Sequence, residues 1–187
     1  MRAIRIEGTE VFVVNAGEIV SALFYSKSLM SNKPPNSFVV RNIEAGDLVH
    51  KRLGYSQPNI YSRFYFLKEI SKWLLIKGAP DKVVLPYVVE LKTYNPKNKD
   101  TRIQIATVQL QVYSFLTGLS DEKVVLYNNE IQKIDYETSR KYNPALFKLS
   151  LQTFWEITKK ITKLVKNIQV NFADLMKSVE PGKANLK

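Results

Sequence analysis

Three side chains in the stretch "APDKVVLPYVVELKTY", residues 79–94, could act together: Asp81, Glu90 and Lys92. Alternation along a strand puts Glu90 and Lys92 on one side. If "DKVVL" and "YVVEL" pair about a turn at Leu85-Pro86, Asp81 falls opposite Glu90, with Cβ atoms about 4.5–5.5 Å apart. Pro86 cannot take the positive φ of a primed two-residue turn, so the expectation is a wider loop and a register free to slip. Two facing carboxylates destabilise a sheet unless a proton is shared, Lys92 neutralises one, or a divalent cation lies between them. Hard oxygen ligands at this separation suit Mg²⁺ or Mn²⁺, which take one or two carboxylates from a protein and keep several waters. Such an ion polarises a phosphoryl oxygen and activates water, and an adjacent lysine can orient that water or stabilise charge on the phosphate. The competing reading is a surface Glu–Lys pair on an edge strand, with Asp81 a turn residue. The flanks argue against it, since "VVELK" is apolar enough for an inner strand, where charge without a partner is rare.

Composition narrows the chemistry. The 187 residues contain no cysteine, which excludes disulfides, thiolate zinc sites and an iron–sulfur cluster. The one histidine, His50, excludes a site built on several imidazoles. Any metal must be held mainly by oxygen. The chain carries 28 basic and 17 acidic residues, a net charge of +11, and that sign favours polyanions, nucleic acid before anionic membrane. No apolar stretch approaches bilayer length, and the alternating start "MRAIRIEGTEVFVV" reads as strands rather than a signal peptide. The expectation is a soluble intracellular protein, cytoplasmic, with DNA and no membrane as its partner.

These residues need elements to position them. "AIRIEG" and "EVFVVN" form a hairpin at Gly8. Asn15 and Glu18 start a helix in the manner of a capping box. "SNKPPNS" is a loop. A short helix follows, capped by Asn42 and stopped by Gly54, and carries His50. "RFYFLKEI" and "KWLLIKG" read as strands, with a helix over 61–73 as the alternative. After the Asp81 and Glu90 strands comes a polar loop, "NPKNKD". A helix then runs to Gly118 with a stripe of Ile105, Val108, Val112 and Phe115. "KVVLYNNEIQKIDYE" reads as a hairpin about Asn128-Asn129. A long helix follows Asn143-Pro144. The fold class is α/β, with a mixed central β-sheet flanked by helices. The reading is one domain over 1–178, with a helical lead-in over 15–54, a catalytic core over 61–130 and a C-terminal helix over 144–168. Residues 179–187 form a tail without apolar anchors.

Placed in this order, the motifs resemble the PD-(D/E)XK nuclease signature, in the form Asp81 after Pro80, then Glu90-x-Lys92. Three further marks resemble its RecB-like branch. These are His50 on the preceding helix, "IKGAPD" as a G-x-x-D element, and "QLQVY" as Q-x-x-x-Y with Gln109 and Tyr113 one helical turn apart. Together they cover residues 42–118. The resemblance implies a restriction-endonuclease-like core and a Mg²⁺- or Mn²⁺-dependent deoxyribonuclease. It implies that His50, Asp81, Glu90 and the carbonyl of Leu91 hold the metal and that Lys92 assists the attacking water. Gln109 and Tyr113 would stand beside the site or on the DNA path. The chain departs from the CRISPR-adaptation exonucleases of this branch in lacking cluster cysteines, and is similar to compact nucleases of archaeal viruses, for which the compartment would be the host cytoplasm. Single-stranded, end-containing or branched DNA fits the branch. A junction resolvase, which needs a homodimer, and a non-catalytic DNA-binding module remain open.

Basic residues follow the Glu90 strand directly. Lys97, Lys99 and Arg102 would border the site and contact phosphates, which position DNA without reading sequence. Tyr55 and Tyr94 are candidates to stack on unpaired bases. Lys159, Lys160, Lys163 and Lys166 recur along the last helix, where a solvated face is the favoured reading.

Overall fold

β1 (Arg2–Ile6) and β2 (Thr9–Asn15) form the expected hairpin, with Glu7 and Gly8 both at positive φ in its turn. The computed structural model describes residues 1–29, 37–55 and 59–178, with side chains over 1–24, 45–55 and 59–162. Glu18 reaches back to the Asn15 amide at 2.8 Å, which starts α1 (Ala16–Leu29). α2 runs Ser37–Arg52, so it begins five residues before the expected cap at Asn42. Ser37 is an equally good starting residue, and nothing in "FVVRN" interrupts a helix.

β3 (Tyr61–Leu67) and β4 (Lys72–Gly78) are strands joined by a 3₁₀ turn over Lys68–Ile70, so the helical alternative for this segment falls. The order β1-β2-β4-β3 makes the first sheet, antiparallel except for β2 and β4. The second sheet runs β5-β6-β7-β8, from β5 (Lys82–Val84), β6 (Tyr87–Tyr94), β7 (Asp121–Asn128) and β8 (Lys133–Lys141). Its β6 and β7 are parallel, connected by α3 (Lys99–Thr117). The mixed character and the flanking helices agree with the α/β expectation.

Other boundaries differ from the sequence reading. "NPKNKD" is not a plain loop: Pro96–Asn98 form a 3₁₀ turn and α3 has begun by Lys99. Asn128 is not in a turn but ends β7 opposite Lys133, and residues 129–132 make the connection. Its side-chain amide donates to Asp135 at 3.0 Å, which keeps it in the strand. α4 starts at Pro144 behind the Asn143 side chain, which accepts from the Ala145 amide at 3.0 Å. It reaches Ser178, ten residues past the expected end, because no breaker precedes Pro181. The 179–187 tail lies outside the described residues, as does most of the "SNKPPNS" loop.

The main core lies between α1, α3 and α4 and one face of each sheet, and takes in Val14, Ile76, Val88, Ala106, Leu126 and Leu151. A second cluster covers the other face of the second sheet, where Val49 of α2 and Leu53 just after it pack on Val89, Leu91 and Val125. β6 is thus covered on both faces, which is why it carries apolar residues on both, Val88 and Tyr94 on one and Val89 and Leu91 on the other. Among the described residues, no helix is long and apolar enough to cross a membrane.

Candidate active site

β5 and β6 pair as Lys82↔Val89, Val83↔Val88 and Val84↔Tyr87. The register has not slipped. Val84 pairs with Tyr87, so Leu85 and Pro86 are the whole turn and the wider loop expected from Pro86 is not formed. One step beyond the last pair, Asp81 stands opposite Glu90. Its Oδ2 accepts a hydrogen bond from the Leu91 amide at 2.8 Å. The side chain thereby continues the pairing where the backbone ladder ends. N–H and C=O of one residue leave a strand on the same side, so the Leu91 carbonyl also faces the Asp81 edge.

Glu90 is fully buried. Its Oε1 accepts from the Lys92 ammonium, the same-side neighbour two residues on. Its Oε2 has no hydrogen-bond partner. A buried polar atom left unpaired costs about 1–3 kcal/mol, and more when charged, so this oxygen asks for an explanation. Burial raises the Glu90 carboxyl well above its ordinary value; the Lys92 ammonium pulls the other way, and Asp81 pushes it up further.

The second strut of the site is α2. Gly54, at φ 70°, ends the helix in the left-handed region, and the Tyr55 amide closes back on the His50 carbonyl at 2.8 Å. That turn carries His50 to Asp81, with Nδ1 and Oδ1 3.4 Å apart. Asp47, His50, Lys51, Tyr55, Pro80 and Asp81 line a cavity of about 320 Å³ with a mainly polar wall. The third strut is α3. Gln109 and Tyr113 share a face, and the Gln109 amide donates to the Tyr113 hydroxyl at 2.8 Å. Burial and the nearby Glu90 carboxyl raise the Tyr113 phenol above its ordinary value, so it stays protonated at neutral pH. A Cβ on Gly78 would lie 2.7 Å from Tyr113 Cε1. Glycine at the end of β4 is therefore what lets this ring lie beside Glu90. This gives the glycine of "IKGAPD" a steric reason.

Asp81, Glu90, Lys92 and His50 thus converge, with Tyr113 behind them. Among the described residues, no group of three or more histidine, aspartate or glutamate side chains is placed to hold a metal ion, so His50, Asp81 and Glu90 do not form the expected three-side-chain ligand set as they stand. The donor set still suits a hard divalent ion. Two carboxylates face each other across a strand pair, one of their oxygens is unpaired, and an imidazole and a backbone carbonyl stand at the same edge.

The basic residues expected to border this site do not act as one group. Lys97 is exposed on the 3₁₀ turn. Lys99 turns away, with its ammonium 4.8 Å from the Tyr136 ring centroid. Arg102 lines a small cavity with Gly46, Thr93 and Asn95. Tyr94 cannot stack on a base, because it is buried with its hydroxyl donating to Asp135 at 2.6 Å. Tyr55 stays on the cavity wall, with the Lys82 ammonium 5.2 Å from its ring centroid. Lys51, which lines the same cavity as Asp81, and Lys82, whose ammonium lies over Tyr55 at its wall, were missed. Their signal was the basic run "HKR" closing α2 and the lysine immediately after Asp81.

One solved structure, that of SSO0001, matches over 82% of this chain and 78% of its own, with a TM-score of 0.61 and 17% identity, a likeness of fold. An alkaline exonuclease from Laribacter hongkongensis covers 87% of this chain and 94% of its own, at a TM-score of 0.47 and 14% identity. A phage-related exonuclease from Haemophilus somnus 129PT covers 80% and 83%, at 0.45 and 10%. These last two are looser likenesses and carry no weight in the reading of the site. No protein-family model and no curated protein matches the chain.

Proposed function

We propose that the chain is a divalent-metal-dependent deoxyribonuclease of the RecB-like branch of the PD-(D/E)XK superfamily, hydrolysing phosphodiester bonds in single-stranded, end-containing or branched DNA. The observation that carries this reading is the fully buried Glu90, with one oxygen on Lys92 and the other unpaired, opposite Asp81. A carboxylate kept in that state costs stability, and a site for a cation explains why it is retained.

Asp81 and Glu90 would hold Mg²⁺ or Mn²⁺, joined by His50 and the Leu91 carbonyl. When bound, the ion supplies Lewis-acid polarisation of the scissile phosphate and lowers the pKa of an attacking water. The protein's own residues do the rest. Lys92 keeps Glu90 in place and presents a positive charge where negative charge grows on the phosphoryl oxygens. His50 fixes the Asp81 carboxylate from the cavity side. Lys51 and Lys82, with Arg102 of α3 beside the end of β6, would bind flanking phosphates. Water attacks phosphorus, the P–O bond to the leaving nucleoside breaks, and the leaving oxygen takes up a proton.

The test is cleavage of single-stranded, duplex and branched DNA in Mn²⁺ by the wild type, Glu90→Ala and Lys92→Ala. Loss of at least about 10³-fold in both variants is expected. Equal cleavage by all three would end the proposal.

A further inference from the structure

The small cavity where Arg102 stands has a wall of hydrogen-bond donors. Gly46 of α2, Thr93 at the end of β6, Asn95 just past it, Asn98 of the 3₁₀ turn, Arg102 of α3 and Asn129 after β7 enclose about 60 Å³. Among the described residues, no carboxylate lines it. The Asn98 side-chain oxygen accepts from the Asn95 amide at 3.0 Å, and the Asn95 side-chain oxygen accepts from Asn129 Nδ2 at 3.2 Å. These acceptors are used within the wall itself. The amino groups of Asn95 and Asn98, the Thr93 hydroxyl and the Arg102 guanidinium have no partner among the described residues. Other arginines do: Arg52 donates to Tyr127, Arg63 to the Phe115 carbonyl at 2.8 Å and Arg140 to Thr107. A guanidinium is always charged and carries five donors, so the half-buried Arg102 asks for an anion.

Gly46 keeps the cavity open. It lies in the interior of α2, where glycine weakens a helix relative to alanine. No steric demand explains it. A Cβ there would meet Thr93 Oγ1 at 3.6 Å, an ordinary contact, and among the described residues nothing nearer. What the absent methyl leaves is the space between α2 and β6.

We propose that this cavity is a seat for one phosphate of the substrate strand, held by Arg102, Thr93, Asn95 and Asn98 and distinct from the metal edge. The inference rests on the nuclease reading for its ligand and adds a second point of grip to it. The volume has room for about two waters or one phosphate group, and not for a base. Donors arriving from β6, the 3₁₀ turn and α3 suit a tetrahedral oxyanion, and a charged donor strengthens the hold. The seat follows the metal edge along both of its supports. Thr93 stands about 10 Å beyond Glu90 at strand rise, and Gly46 one helical turn before His50. A phosphate seated there is too far to be the scissile one and falls within about three nucleotides of it.

The test is fluorescence anisotropy of labelled single-stranded oligonucleotides, without metal and at low salt, in which each phosphate in turn is replaced by a neutral methylphosphonate. Wild type, Arg102→Gln and Gly46→Ala are compared, with urea unfolding of each. In the wild type, neutralising one particular phosphate should weaken binding about tenfold or more. Arg102→Gln should lose as much on unmodified DNA and become indifferent to that phosphate, since the two changes remove one interaction. Gly46→Ala should lose binding in the same way while its urea midpoint is kept or raised, which a merely structural glycine would not allow. Oligonucleotides with and without terminal phosphates tell whether the seated group is an end or an internal one; either supports the seat. A wild type equally sensitive at every phosphate overturns the proposal. So does Arg102→Gln with the wild-type pattern, or Gly46→Ala with wild-type affinity. Should Arg102→Gln fail to fold, Gly46→Ala decides. A wild type that shows the pattern but cleaves nothing in Mn²⁺ ends the nuclease reading and leaves the seat. One that cleaves without the pattern ends the seat alone.

Discussion

Glu90 and Glu122 are both fully buried, on the neighbouring parallel strands β6 and β7, yet the molecule treats them differently. Both Glu122 oxygens are satisfied: the Gln111 amide donates to Oε2 at 2.7 Å and the Ser114 hydroxyl to Oε1 at 2.8 Å. Gln111 in turn accepts from the Asn143 amide at 2.7 Å, so the network pins the start of α4 to α3. Glu90 has one oxygen on a lysine and one on nothing. Burial alone therefore does not mark a functional acid. An acid whose partners are complete stitches elements together, and one left incomplete beside a polar cavity is open to a ligand.

Exchanging each acid for its amide should break this comparison most visibly. Glu90→Gln is expected to keep its fold and lose at least about 10³-fold in DNA cleavage, whereas Glu122→Gln stays within about threefold of wild type. Stability should show the reverse order. Glu122→Ala strands Gln111 and Ser114 without their acceptor and is expected to cost about 2–4 kcal/mol in urea unfolding. Glu90→Gln without added metal should cost under about 1 kcal/mol, because the amide keeps the shape of a carboxyl that burial already holds toward its protonated form.

A smaller effect follows from titration. Burial pushes the Glu122 carboxyl up to about 7 from an ordinary 4.5, against the opposing Ser114 hydrogen bond and the Arg140 charge. Between those values the folded state holds a proton that the unfolded chain has released. Stability from this group is therefore full below about pH 4.5 and falls as pH rises toward 7, by about 2–3 kcal/mol. Urea unfolding of the wild type across pH 4.5–7.5 should show this decline, and Glu122→Gln should make it shallower, leaving the part that the raised Glu90 carboxyl contributes with the same sign. Gly78→Ala should cost about 1–3 kcal/mol, because its Cβ meets Tyr113, Ala16 and Leu116 at 2.7, 3.0 and 3.3 Å. Its cleavage should drop with Tyr113 displaced.

The sequence was informative where period and turn chemistry act locally. Strand alternation and the Leu85-Pro86 turn placed Asp81 opposite Glu90, and Gly54 marked the end of the helix that presents His50. Glu122 was not legible as a buried group. In "DEKVVLYN" it stands in a charged run at a strand start, and its burial depends on Gln111 and Ser114 from a helix that returns over it. Those two polar residues, three apart inside an apolar helix, were the available signal. Side-chain direction was not legible for the basic loop either. Lys99 and Arg102 are three apart on α3, yet the Lys99 ammonium lies over the Tyr136 ring while Arg102 lines the cavity with Gly46, Thr93 and Asn95.

The account rests on the Asp81–Glu90 edge being a site for one divalent ion. Isothermal titration of Mn²⁺ into wild type, Glu90→Gln and Glu122→Gln tests it most directly. The expected result is one-site binding by the wild type and Glu122→Gln, with affinity at least tenfold weaker in Glu90→Gln. Equal Mn²⁺ affinity in all three proteins, or none in the wild type, would contradict it.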